Sequence, residues 1–196
     1  MVSEIIYQFS LPMNKTFVVY NQLPPFPIWQ LKQTHSNLIN LSGESNKEAD
    51  GLISDLDFKI IPAIKTADCL PIVIMGKEKL AFIHAGWKGL YNKILYHQYI
   101  KTINPIYAFI GPHISSENFE VQKDFSNYFP SQNHYLKLGT KTCFNLENEA
   151  IFQLKDQFSD IQIEKSGVCT FNNLEFNSYR RDKLNKRNYN LITNQI

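Results

Sequence analysis

Three residues stand out as a chemical set: His35 in LKQTHS, Cys69 in KTADCLPIVI and His84 in FIHAGW. Each falls at the edge of a run that reads as a strand. Such an edge is a rigid place from which side chains can converge, although 34 and 15 positions separate the three along the chain. One thiolate and two imidazoles are good zinc ligands, and three protein ligands leave a fourth tetrahedral position open for chemistry. None of the compact zinc spacings is present, so the plain alternative is a buried thiol with two hydrogen-bonded core histidines.

The segment IHAGWKGL, 83–90, ends an apolar run on His84 and continues with Gly86, Trp87, Lys88 and Gly89. If that strand runs directly into a helix, the turn is nearly bare, and unpaired helix N–H groups face the neighbourhood of His84, which suits an anion. Lys88 adds a positive charge, and Trp87 offers a flat face for a purine or a sugar. The plain alternative is a tight turn with a packed tryptophan. His113, in IGPHIS, follows another apolar run and lies within reach of the same site. Arg180 and Arg181, in SYRRDKLNKR, are candidate phosphate contacts in a basic cluster that otherwise reads as a solvated face. HExxH, GxSxG, GxxxxGK[ST] and GxGxxG are all missing, and none of the five histidines begins an H-x-E. Metalloprotease, serine-hydrolase, P-loop, dinucleotide and zinc base-deaminase readings therefore lack their usual marks.

These side chains need elements to hold them. Apolar or alternating runs predict strands near 16–20, 28–34, 60–65, 71–75, 79–84, 105–110, 160–164, 167–171 and 188–193. Helical spacing predicts helices over 88–103, over 145–158 with Asn145 as cap, and a shorter one over 121–129. The polar stretch 41–50 reads as a loop between two strands. The chain's 196 residues, 43% hydrophobic, suit one domain with a sizeable core, mixed in α and β. Lys plus Arg exceed Asp plus Glu by 20 to 18, so no overall field calls for nucleic acid or an anionic membrane. Glu4, Pro12 and Asn14 interrupt any leader-like or spanning pattern, and three widely spaced cysteines suit reduced thiols, so the expected address is cytoplasmic.

In order along the chain, QTHS (33–36), EADGLIS (48–54), TADCLPIVI (66–74), HAGWKGL (84–90), IGPHI (110–114), FEV (119–121), CT (169–170) and NSYRRD (177–182) form one pattern. It resembles the bacterial family long labelled polyphenol oxidase or laccase-domain and now described as purine nucleoside phosphorylase. The resemblance implies an α+β fold, with mixed β-sheets packed together and flanking helices, as a single domain over 1–196. It implies one zinc on His35, Cys69 and His84, with copper as a substitute, and phosphorolysis of adenosine, inosine, guanosine or methylthioadenosine, together with deamination of adenosine. The partners would be a purine nucleoside and phosphate. Asp68 and Lys88 are then the expected catalytic residues, and Gly86, Trp87, Lys88, Gly89, His113, Arg180 and Arg181 the expected substrate contacts. Where the family usually has arginine after HAGW, this chain has Lys88, which keeps the charge and loses the bidentate fork.

Three competing readings use the same residues. Cys69 activated by His84 or His35 would make a cysteine-nucleophile amide hydrolase acting on peptidoglycan fragments. A copper-dependent polyphenol oxidase fits poorly, since multi-electron oxygen reduction needs more metal than three ligands hold. A zinc-stabilised interaction module would close the fourth coordination position.

Overall fold

The computed structural model describes residues 4–41 and 43–194. Ser42 of the polar loop and the extreme terminal residues lie outside the described residues. The central strands read as continuous apolar runs because they are covered on both faces. A six-stranded mixed sheet holds β12 (Gln162–Lys165), β9 (Tyr107–Ile110), β7 (Leu70–Met75), β8 (Lys79–Ala85), β5 (Gly51–Asp55) and β4 (Ile39–Asn40), in that spatial order. Alternation along its strands divides the core. Ile72, Ile74, Ala81 and Ile83 pack into a helical layer, while Val73, Met75, Leu80 and Phe82 meet Phe17, Val19, Ile64 and Ile192 of a second sheet.

That second sheet has five strands: β1 (Ile5–Leu11), β2 (Lys15–Tyr20), β13 (Asn188–Asn194), β6 (Ile61–Thr66) and β3 (Ile28–Gln30). Its outer face carries Val18, Tyr20, Ala63 and Leu191, with Phe26 and Ile28 packed against them. A small hairpin, β10 (Tyr135–Leu138) with β11 (Lys141–Phe144), completes the α+β architecture.

The helical layer contains α1 (Trp87–Tyr91), α2 (Gln98–Lys101) and α3 (Leu146–Gln157), with α4 (Tyr179–Asp182) in the loop that precedes β13. As expected for 145–158, Asn145 caps α3 by accepting the Asn148 N–H at 2.9 Å, and Leu146, Ala150 and Leu154 face the core. The single helix expected over 88–103 is instead broken into α1, a 3-10 turn at 94–96 and α2. Lys93 takes left-handed backbone angles (φ 61°), which ends the first piece. The carbonyls so released are satisfied from α3: Gln153 donates to Leu90 O at 2.9 Å and Gln157 to Leu95 O at 2.5 Å.

Two other expected elements also differ. Residues 121–129 hold only a 3-10 turn, Lys123–Asn127. Residues 167–171 form one isolated bridge, Cys169 with His113, instead of a strand. The loop 41–50 does join two strands, β4 and β5, neither of which was anticipated.

Candidate metal centre

Sheet register brings the ligands together. β7 and β8 pair antiparallel with Leu70 opposite Ala85, so one step further Cys69 meets the Gly86 position at the same end of the hairpin that carries His84. β5 pairs antiparallel with β8 and sets Gly51 opposite Ile83, which places Asp50 beside His84. His35 arrives on the loop after Leu31, docked where Lys32 bridges Glu48 and donates its N–H to Lys47 O. The ligand atoms of His35, Cys69 and His84 lie within 4.8 Å of one another, with Cys69 Sγ 3.8 Å from His35 Nε2. His84 is buried, Cys69 partly exposed and His35 exposed, so the cluster is open on one side.

Asp50, completely buried, organises this cluster and was not singled out in the sequence. One oxygen accepts the His84 Nδ1–H at 2.7 Å and the His35 N–H at 3.0 Å; the other accepts the Thr34 N–H, the Ser36 N–H at 2.6 Å and the Ser36 hydroxyl. These bonds hold His35 at a left-handed φ of 60° and turn the Nε2 edge of His84 toward the cluster. Burial alone would raise the Asp50 carboxyl, but hydrogen bonds from His84 and Ser36 bring it down to about 2. Burial likewise works against charge at Cys69 and His84, yet their mutual attraction wins. With His35 adding to it, the thiol falls to about 6, and with Asp50 adding to it, the imidazole rises to about 9.

The donor set fits one thiophilic cation. Tetrahedral bonds of about 2.0–2.3 Å put ligand atoms about 3.5 Å apart, so small side-chain adjustments close the site. Gly86 belongs to the fit as well: a Cβ there would stand 2.9 Å from Cys69 Sγ and 3.0 Å from His35 Cδ2.

Beside the cluster lies a cavity of about 830 Å³. All three ligands line it, as do the aromatic rings of Trp87, Phe119, Tyr179 and Tyr189 and the basic side chains of Lys65, Arg180 and Arg187. The other expected site residues divide. Asp68, with φ 89°, borders the cavity but its carboxylate is engaged, accepting the Thr170 hydroxyl at 2.9 Å and the Arg180 N–H at 2.6 Å. Lys88 is exposed outside the lining, its Nζ 5.6 Å from the Trp87 ring centroid. Gly89 sits inside α1, whose five residues make a short helix. His113 borders a separate space of about 160 Å³, donating through Nδ1 to Gly111 O at 2.8 Å and lying 3.7 Å from Glu147.

Arg180 borders the cavity over the Phe119 ring and donates to Glu120 O at 2.8 Å. Arg181 points away, into backbone carbonyls: Thr170 and Phe171 at 2.9 Å, Phe176 at 2.7 Å, with Asp182 against its other edge. Arg181→Met should therefore cost about 2–3 kcal/mol of stability, in line with lost charge-assisted hydrogen bonds, while metal content stays at the wild-type level. Urea unfolding measures this, and an unchanged midpoint would refute the structural role.

Packed mixed sheets whose strand ends gather two imidazoles and a thiol, with a large cavity alongside, define an α+β protein with a candidate metal centre. Residues 14–194 match the family described as "Multi-copper polyphenol oxidoreductase laccase", and the chain belongs to that family. The purine nucleoside phosphorylase of Haemophilus influenzae is 33% identical, covering 93% of this chain and 81% of its own length. That of Aquifex aeolicus is 32% identical over 71% of this chain and 68% of its own. Among solved structures, the Neisseria meningitidis protein NMB0706 shares the fold with a TM-score of 0.79 at 23% identity, covering 98% of both chains. YlmD from Geobacillus stearothermophilus does so with a TM-score of 0.71 at 21% identity, covering 87% of this chain and 74% of its own. Among the described residues no helix is long and apolar enough to cross a membrane.

Proposed function

We propose that this chain is a zinc-dependent purine nucleoside phosphorylase that also deaminates adenosine. The observation that carries the reading is the open His35–Cys69–His84 cluster on the wall of a cavity that also presents the aromatic side chains of Trp87, Phe119, Tyr179 and Tyr189. About 830 Å³ falls within the range usual for small-molecule sites. The relatives' names supply the substrate class, since two that cover most of their own length against this chain are called purine nucleoside phosphorylases. Copper is the alternative occupant of the same ligands, because it binds such donors more tightly than zinc does. Among the described residues one such cluster is found, which is few ligands for a multi-copper oxidase.

A zinc ion on these ligands supplies Lewis-acid polarisation of a substrate atom or of water. The chain's own residues do the rest. Asp50 keeps the His84 proton on Nδ1, Trp87, Phe119 and Tyr179 offer faces for the purine, and Asp68 ties the cysteine turn to the loop bearing Arg180. In phosphorolysis the C1′–N9 bond breaks, its electron pair leaves with the base, which takes up a proton, and a phosphate oxygen forms the new bond at C1′. In deamination the oxygen of water bonds to C6 of adenosine, the C6–N bond breaks, and the amino nitrogen takes up a proton and leaves as ammonia.

Incubating the zinc-loaded protein with adenosine, inosine, guanosine and methylthioadenosine, with and without phosphate, tests the reading by product chromatography. Free base with sugar 1-phosphate is expected, and inosine from adenosine. If neither a free base nor inosine forms, the reading is wrong.

A second reading rests on the pairing of a depressed Cys69 thiol with a His84 already oriented by Asp50, an arrangement that suits a cysteine nucleophile for an amide hydrolase on peptidoglycan fragments. Full activity on such a fragment under chelation, lost on alkylation, would select it.

A further inference from the structure

The cavity is lined by basic side chains that the metal ligands do not account for. Lys65 lies near the end of β6, directly opposite Tyr189 of β13. By alternation both share the outer side of the sheet with Ala63 and Leu191, and Arg187, two residues before Tyr189, continues that row. The stems are fixed. Gln33 grips the Lys65 backbone from both sides, accepting its N–H at 2.8 Å and donating to its carbonyl at 2.7 Å. Asn177 donates to the Arg187 carbonyl at 3.0 Å and exchanges two further bonds of 2.8 Å with Asn188, closing the base of the loop that carries Arg180.

Among the described residues the charged ends have no ion-pair partner. Both side chains are half-buried and line the same cavity, and among the described residues no carboxylate forms an ion pair with either. The one carboxylate bordering that cavity, Asp68, is already engaged by Thr170 and the Arg180 N–H. Burial, and then the neighbouring Arg187 charge, hold Lys65 below the ordinary lysine range. Two like charges facing one space disfavour each other unless an anion lies between them, and guanidinium beside ammonium is a donor set suited to a tetrahedral oxyanion.

We propose that Lys65 and Arg187 form a phosphate seat in the wall of the cavity that the metal ligands also line. The seat rests on the phosphorolysis reading for its role, and it takes either the free phosphate that this reaction consumes or the phosphate group of a nucleoside monophosphate. It replaces Lys88 as the charged contact of the anion, because Lys88 lies outside the lining.

Calorimetric titration of the zinc-loaded protein with inorganic phosphate and, separately, with adenosine 5′-monophosphate tests this in wild type, Lys65→Gln, Arg187→Gln, Arg187→Lys and Lys88→Gln. Each glutamine variant at 65 or 187 should lose tenfold or more in affinity, with Arg187→Lys intermediate and metal content unchanged. Thermal midpoints should hold or rise, since a repulsion is relieved. Loss confined to inorganic phosphate assigns the seat to the co-substrate, and loss confined to the monophosphate assigns it to a nucleotide substrate. Wild-type protein that binds neither probe, or affinities unmoved at 65 and 187, or a loss seen only in Lys88→Gln, would overturn the seat. Nucleoside turnover that persists alongside such a result leaves the proposed function standing. Phosphate binding lost at 65 and 187 in a protein that turns over no nucleoside keeps the seat and rejects that function.

Discussion

Asp50→Ala should be among the most damaging single substitutions in this protein, lowering stability by about 3–5 kcal/mol, the usual cost of breaking a buried ionic pair. The reason is the number of groups that the carboxylate serves. Removing it strands the His84 Nδ1–H, three consecutive backbone N–H groups at Thr34, His35 and Ser36, and the Ser36 hydroxyl. Two metal ligands lose their orientation together, so zinc affinity measured against a chromophoric chelator should fall by about 10–100-fold in Asp50→Asn, which keeps the volume and one acceptor. The acid limb provides an independent check. Hydrogen bonds hold Asp50 near 2, below the roughly 3.9 of a free aspartate. Its contribution is therefore complete above about pH 4 and is lost as pH falls toward 2. Metal-free wild type should lose stability more steeply over that window than metal-free Asp50→Asn. Equal slopes, with zinc affinity unchanged, would show that Asp50 is a bystander.

The different fates of Asp50 and of the ligands show where the sequence is legible. PIVIM and KLAFIH are two apolar runs around a short polar turn with Gly76, and their antiparallel pairing carries Cys69 to the end that bears His84. Local pattern sufficed there because a hairpin is a local structure. Asp50 sits in a polar stretch and looks like a solvated carboxylate; its burial is created by a loop and two strands closing around it, which no local pattern records. The motif EADG marked the place without its reason. The break at Lys93 has the same origin. Leu90, Ile94 and Leu95 recur as they would on one helix, and what permits an interruption is Gln153 and Gln157, some sixty residues away, donating hydrogen bonds to the freed carbonyls. GVCTF reads as a strand, yet the carbonyls of Thr170 and Phe171 are taken by Arg181, leaving a single bridge at Cys169. At Lys93 and at 167–171 a polar side chain from another element takes backbone groups that the apolar pattern alone assigns to a helix or a strand.

Gly86 and Gly89 look alike in HAGWKG, and substitution should separate them. The Gly86 backbone angles (φ −80°, ψ 172°) suit any residue, so Gly86→Ala brings no backbone strain. Its methyl group would press on Cys69 Sγ and the His35 ring at 2.9 and 3.0 Å, the two ligands at the open side of the cluster. Overpacking of this kind costs about 1–3 kcal/mol, and here that cost falls on the geometry that binds the ion, so zinc affinity should fall by about tenfold or more. Gly86→Val should abolish stoichiometric binding while the sheets still form, a result that circular dichroism and metal analysis report together. At Gly89 an added methyl would meet Ile94 and the Ser36 carbonyl at an ordinary 3.5 Å, inside α1. Gly89→Ala should therefore keep its zinc and gain about 0.5–1 kcal/mol from the restricted unfolded chain. Equal zinc affinities in Gly86→Ala and Gly89→Ala would mean that the space between sulfur and imidazole is not where the ion sits.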